Sequence, residues 1–145
     1  MMTDAYGPVD FLILEYPSHT DGTAAAHALR DLIDGGVVAL YDLVVVRREP
    51  DGTARELDLA DGSVDVPDAL APFSGARSGL LGDEDIREAA NALEPGTNAL
   101  VIVYENRWAA PFVSAARADG LELVASARLT AREILDVLDE VEAAS

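Results

Sequence analysis

Cysteine and lysine are both missing from this chain. Without cysteine there is no disulfide, no thiolate nucleophile and no sulfur ligand for a metal. Histidine occurs twice, and two imidazoles without thiolates make a poor zinc set. With lysine absent, every cation is an arginine: ten of them stand against 27 acids, for a formal net charge of −17. A field of that sign repels phosphate backbones and anionic lipid surfaces, which disfavours nucleic acid and membrane as partners and favours a cationic protein. The acids are spread along the chain rather than gathered in a tail, as in a solvated acidic surface. Long apolar runs are missing too; none approaches the ~20 residues a transmembrane helix needs. The start, MMTDAYGPVD, carries acids and no basic segment ahead of an apolar stretch, unlike a secretory signal. A cytoplasmic location is expected, with no cofactor and no metal.

What is present suits one domain over residues 1–145, half of it hydrophobic and long enough for a real core. VDFLILEY (9–16) reads as a strand, with turn signals at Pro17 and Ser18. From Asp21 the spacing becomes helical, placing Ala25, Leu29, Leu32 and Ile33 on one face until Gly35 and Gly36 end the run. VVALYDLVVVRR (37–48) is a β-branched strand, EPDG (49–52) a tight turn, and TARELDL (53–59) a returning strand, so 37–59 is expected to be a hairpin. Residues 60–82, dominated by Gly, Pro, Ser and Asp, read as a long surface loop. A short helix follows over 83–93, then a strand over 97–106. Pro111 is comfortable only in a first turn, so a third helix starts near Trp108 and stops at Gly120. LELVASARL (121–129) reads as a last strand. Thr130 and Glu133 form a capping box for a final helix whose inward stripe includes Ile134, Val137, Leu138 and Val141. The order predicts an α+β fold, a ferredoxin-like βαββαβ sandwich extended by a C-terminal αβα, the extension joining by a right-handed crossover.

Several clusters invite a chemical reading, and most have a plainer one. Gly75, Gly79 and Gly82 precede a helix, but their spacing fits neither phosphate-binding fingerprint. That helix opens Asp83, Glu84, Asp85, three carboxylates that oppose a phosphate and suit a helix start. Asp58, Asp61, Asp65 and Asp68 fail the EF-hand spacing and read as turn formers. Ser18 adjoins His19, yet there is no nucleophile elbow. Glu15 and Glu105 both end strands, and antiparallel neighbours would hold them at opposite ends of the sheet.

Asp42 interrupts an apolar strand and, by alternation, shares a face with Val38, Leu40, Val44 and Val46. A carboxylate there needs partners: a bulge, backbone N–H groups or an Arg on the structural reading, a functional acid on the other. The stretch VYENRWAAPF (103–112) places Glu105, Asn106 and Arg107 just ahead of the sole tryptophan, Trp108. As an anchor, Trp108 would cap the core with its indole N–H wet. As a site, Trp and Arg are the residues that dominate binding hot spots.

GPVDFLI (7–13), YDLVVVRREPDG (41–52), SGLLGDEDI (78–86) and EPGTNALVIVYENRWAAPF (94–112) together resemble a family of short actinobacterial proteins known only as a domain of unknown function. The likeness spans nearly the whole chain in the same order, and YENRWAAPF is its most specific piece. A broader bacterial family has a similar Asp-plus-valines strand but often a long apolar glycine-rich hairpin. Here only the short SGLLG loop stands in that place, so a membrane association does not carry over. The resemblance implies a compact α+β domain and supplies no catalytic residue.

Taken together, the residues favour a non-enzymatic domain that self-associates, as a homo-oligomer, or binds a cationic protein. Ile134, Leu138 and Val141 are candidate interface residues. The alternative is a small-molecule-binding domain or enzyme with a pocket near Asp42, Glu105, Arg107 and Trp108.

Overall fold

The computed structural model describes residues 6–122, 124 and 138–143. Four strands, β1 Val9–Tyr16, β2 Ala39–Arg48, β3 Ala54–Leu57 and β4 Thr97–Glu105, form an antiparallel sheet. Their order is β1-β4-β2-β3. Helix α1, Thr23–Asp34, joins β1 to β2; α2, Asp83–Asn91, precedes β4; and α3, Ala110–Ala118, follows it. The hairpin is built as its residues dictate. Asp51 accepts the Thr53 N–H at 2.9 Å, and Gly52 takes the positive φ of 92° that the turn needs.

β2 and β4 are apolar along most of their length because both of their faces are covered. Alternation divides them between two cores. Leu43, Val45, Leu100 and Ile102 pack toward α1, with Ala26, Leu29 and Ile33. Val44, Val46, Ala99 and Val101 pack toward α2, with Ile86, Ala89, Ala90 and Leu93. The two ends of α2 match its dipole. Asp83, Glu84 and Asp85 occupy its first turn, and Arg48 donates to the Leu93 carbonyl just beyond its last, at 2.7 Å.

The ferredoxin-like expectation is met only in part. β1 and β4 are antiparallel neighbours as expected, but the order β1-β4-β2-β3 puts β4 and β2 in the centre, where a ferredoxin-like sheet has its first and third strands. In addition, α1 and α2 lie on opposite faces, where such a sandwich leaves one open. The segment 60–82 is the reason. It is no mere surface loop: Val66, Leu70 and Phe73 are buried in the α1 core, the last two on a 3-10 helix, Asp68–Phe73. β3 is four residues long and pairs only from Val45 onward, leaving the edge of β2 open at Leu43. The chain passes that gap, where the Leu43 N–H donates to the Ala76 carbonyl at 2.9 Å. It then brings Leu81 and α2 to the other face.

α3 carries a Pro in its first turn, as expected, and buries none of its residues. The last strand expected over 121–129 and the capping box at Thr130 and Glu133 fall largely or wholly outside the described residues; residues 138–143 are helical.

Candidate functional site

Asp42 sits beside a β-bulge. The β2–β4 register shifts between Leu40 and Asp42, so Tyr41 is the extra residue. Asp42 keeps the face expected with Val44 and Val46, the α2 face, opposite Val103, while the bulge turns Leu40 to the α1 core. Its carboxylate is wholly buried. One oxygen accepts the Ser78 N–H and the other the Ser78 hydroxyl, each at 2.7 Å. Arg77 stands 3.8 Å away, holding Glu56 at 2.5 Å with its far end. Asp42 therefore clamps the chain where it crosses the sheet edge.

Glu105 ends β4 and is also buried. It accepts the Gly7 N–H at 2.8 Å and the Tyr41 hydroxyl at 2.6 Å. That bond to a carboxylate holds the Tyr41 proton and pushes its pKa up to about 12. Asn106 continues the same stitching. Its N–H and side-chain amide both reach the Pro8 carbonyl, at 2.8 and 2.9 Å. Glu15 lies at the other end of the β1–β4 pair, opposite Ala99, while Glu105 lies opposite Val9. Glu15 holds Thr97 and the Glu94 N–H, and these hydrogen bonds keep its pKa below the usual carboxylate value.

Arg107 and Trp108 begin the 3-10 turn into α3. Arg107 is exposed and lines a shallow hollow with Leu40 and Phe73. Trp108 does not cap the core: it is 67% exposed, with its indole N–H donating to Asn106 at 3.2 Å. Phe112, one turn later, is 76% exposed. Leu138 and Val141 are also exposed, and Ile134 lies outside the described residues. The structure thus links Glu105 to Tyr41 beside Asp42, while Arg107 and Trp108 stay on the surface.

Two features were missed by reading the sequence. The first is a polar network at the other end of the sheet. Asp65 receives hydrogen bonds from Ser18, from Asn98 at 3.3 Å and from Arg47 at 3.4 Å. The Ser18 bond is the main reason its pKa is lowered, with Arg47 and Asn98 helping against burial. Tyr16 donates to the Asp65 carbonyl at 2.6 Å, and its burial near that carboxylate raises its pKa. These residues are scattered through the sequence, and only the fold collects them.

The second is an open apolar groove of about 380 Å³ on the α2 face, between α2 and β1. Val9, Phe11 and Ile13 from β1 and Val101 and Val103 from β4 form its floor; Leu80 and Leu81 flank it, and Asp85 and Glu88 rim it. Its signal in the sequence was the apolar run from Phe11 to Leu14, which gives β1 apolar side chains on both faces. Asp42, Glu105, Arg107 and Trp108 are not part of it.

Chemically, the buried acids are occupied in holding backbone and hydroxyl groups. Among the described residues no three His, Asp or Glu side chains gather as a metal site, and no helix is long and apolar enough to cross a membrane. Comparisons with curated proteins and with solved structures find no match. On its sequence, with a family model matching residues 5–144, the chain belongs to the family of unknown function DUF6325.

Proposed function

We propose that this domain works by binding protein rather than by catalysis, with a second copy of itself as the first partner and a cationic protein as the alternative. The observation that carries this reading is a division of labour among the side chains. The candidate acids Asp42 and Glu105 are buried and bonded to the protein's own groups. The large apolar side chains of Phe11, Trp108 and Phe112 stand in solvent instead. Exposed aromatics beside an arginine are the usual anchors of protein interfaces. A net charge of −17 opposes two copies meeting, so association should strengthen as salt screens the repulsion. A cytoplasmic setting belongs to the same proposal.

Solution mass measured by light scattering across a salt series tests it. A defined oligomer that tightens with salt supports self-association. Complex formation with a basic protein at low salt, dissolved at high salt, supports the alternative. A monomer that binds no basic partner at any salt concentration overturns the proposal.

A further inference from the structure

Five aspartates in this chain are followed directly by glycine, at 21–22, 34–35, 51–52, 61–62 and 119–120. Glycine offers its backbone nitrogen with no side chain to shield it, so the carboxyl before it can close onto that nitrogen as a cyclic imide. The fold does not treat the five pairs alike. Asp21 and Asp51 each hold the N–H and the hydroxyl of the threonine two residues on. Those bonds lower both pKa values and keep the carboxylates ionised, the form a nucleophile attacks least. The Gly52 N–H is also committed, to the Glu49 carbonyl at 2.8 Å. Asp34 pairs with Arg30 at 3.3 Å, and the Gly35 N–H donates to the Asp31 carbonyl at 2.9 Å. After Asp119, the Gly120 N–H donates to the Arg117 carbonyl at 3.0 Å.

Asp61 and Gly62 differ on each count. Both are exposed, on a bend of the segment that follows β3. A Cβ built on Gly62 would meet nothing within 4 Å, so the space around the reacting peptide is open. Among the described residues, no hydrogen bond occupies the Asp61 carboxylate or the Gly62 N–H. We infer that Asp61–Gly62 is a site of spontaneous backbone modification, where Asp61 turns into isoaspartate ahead of the other four aspartates.

The step needs only water. The Gly62 nitrogen attacks Asp61 Cγ, a C–N bond forms, and the carboxyl OH leaves as water with the amide proton. Water then adds to one of the two ring carbonyls. Opening at Cγ restores aspartate, whereas opening at the main-chain carbonyl carries the chain through Cβ and Cγ and leaves the α-carboxylate as a branch. One water leaves and one returns, so only connectivity changes. The added backbone carbon falls between buried Leu59 and buried Asp65. There the chain enters the network that Asp65 forms with Ser18, Arg47 and Asn98.

Incubating the folded chain in warm neutral buffer and mapping its peptides by electron-transfer fragmentation reads isoaspartate at each pair. Isoaspartate at Asp61 should accumulate several-fold faster than at Asp21, Asp34, Asp51 or Asp119. In urea, where the fold no longer separates them, the five rates should converge. Asp61→Glu, on an exposed bend, must close a larger and slower ring, and should remove most of the isoaspartate measured on the whole chain by an isoaspartate-specific methyltransferase. Equal rates in the folded chain, or a faster reaction at any other pair, overturn the inference. A lead at Asp61 that persists unchanged in urea overturns it too, since neighbours in sequence and not the fold would then be the cause.

Discussion

Ser78 donates both its backbone N–H and its hydroxyl to Asp42, one to each carboxylate oxygen, at 2.7 Å. Asp42 is on a central strand and Ser78 is on the segment that passes from one face of the sheet to the other. The pair thus joins the two cores at the one place where β3 leaves the edge of β2 uncovered. A buried carboxylate is stable here because two donors from one residue meet it.

Replacing Asp42 by Ala should therefore destabilise the fold by about 3 kcal/mol, since two donors lose a charged acceptor in a buried place. Asp42→Asn should cost about half as much. Its amide retains an oxygen for the N–H and can donate to the Ser78 hydroxyl. Urea unfolding followed by circular dichroism measures both. Equal stability of wild type and Asp42→Ala would show that the crossing segment is held by its apolar contacts alone.

Gly7 is the second sensitive point. A Cβ built there would lie 1.9 Å from the Asn106 carbonyl oxygen, a backbone atom that cannot swing away. Gly7→Ala must push the start of β1 off β4 and take the Gly7 N–H away from buried Glu105. A loss of about 2–3 kcal/mol is expected. Unfolding midpoints in urea decide it; Gly7 is not among the positive-φ glycines, so the clash and the lost hydrogen bond set the cost.

The Asp65 network predicts how acid acts on the fold. Its folded pKa lies below the ordinary 3.8, chiefly through the Ser18 hydrogen bond. The associated stability is present above that ordinary value and is lost as pH falls through the lower, folded one. Ser18→Ala should raise the folded pKa and move acid unfolding to higher pH. An acid titration followed by circular dichroism reads the shift; coincident wild-type and variant curves would remove Asp65 from the account.

Trp108 should separate stability from association. With its indole largely in solvent, Trp108→Ala is expected to change folding stability by no more than about 0.5 kcal/mol. If the indole anchors a partner, the same change should weaken association by about 2 kcal/mol, roughly 30-fold. Thermal unfolding and concentration-dependent light scattering on the same samples give both numbers. A destabilised protein with unchanged association would reverse the assignment and make Trp108 a structural residue.

The local pattern by itself determined much of this protein. The apolar run of VDFLILEY, the glycines after Ile33, the EPDG turn, the acids opening α2 and Pro111 each specify an element through the backbone they permit. Each of those elements forms within a few residues of its expected bounds. Composition disfavoured thiol chemistry and set the sign of the field before any fold was drawn.

Tertiary structure decided the rest, because it depends on partners distant in sequence. The bulge at Tyr41 turned Leu40 to the α1 core while Asp42 kept the face of Val44 and Val46; a bulge was one reading of an acid in that strand, but the acid's partner, Ser78, lies 36 residues away. Short β3 pairing opened the gap that lets residues 74–82 change faces, which placed α2 opposite α1. Ser18, Arg47, Asp65 and Asn98 became one network only when four segments met at a sheet end. Trp108, read either as a cap on the core or as a binding residue, lies in solvent because the turn before α3 buries Ala109 in place of the indole. Local propensity chooses elements, whereas register and the faces they cover are set by burial that no single segment can supply.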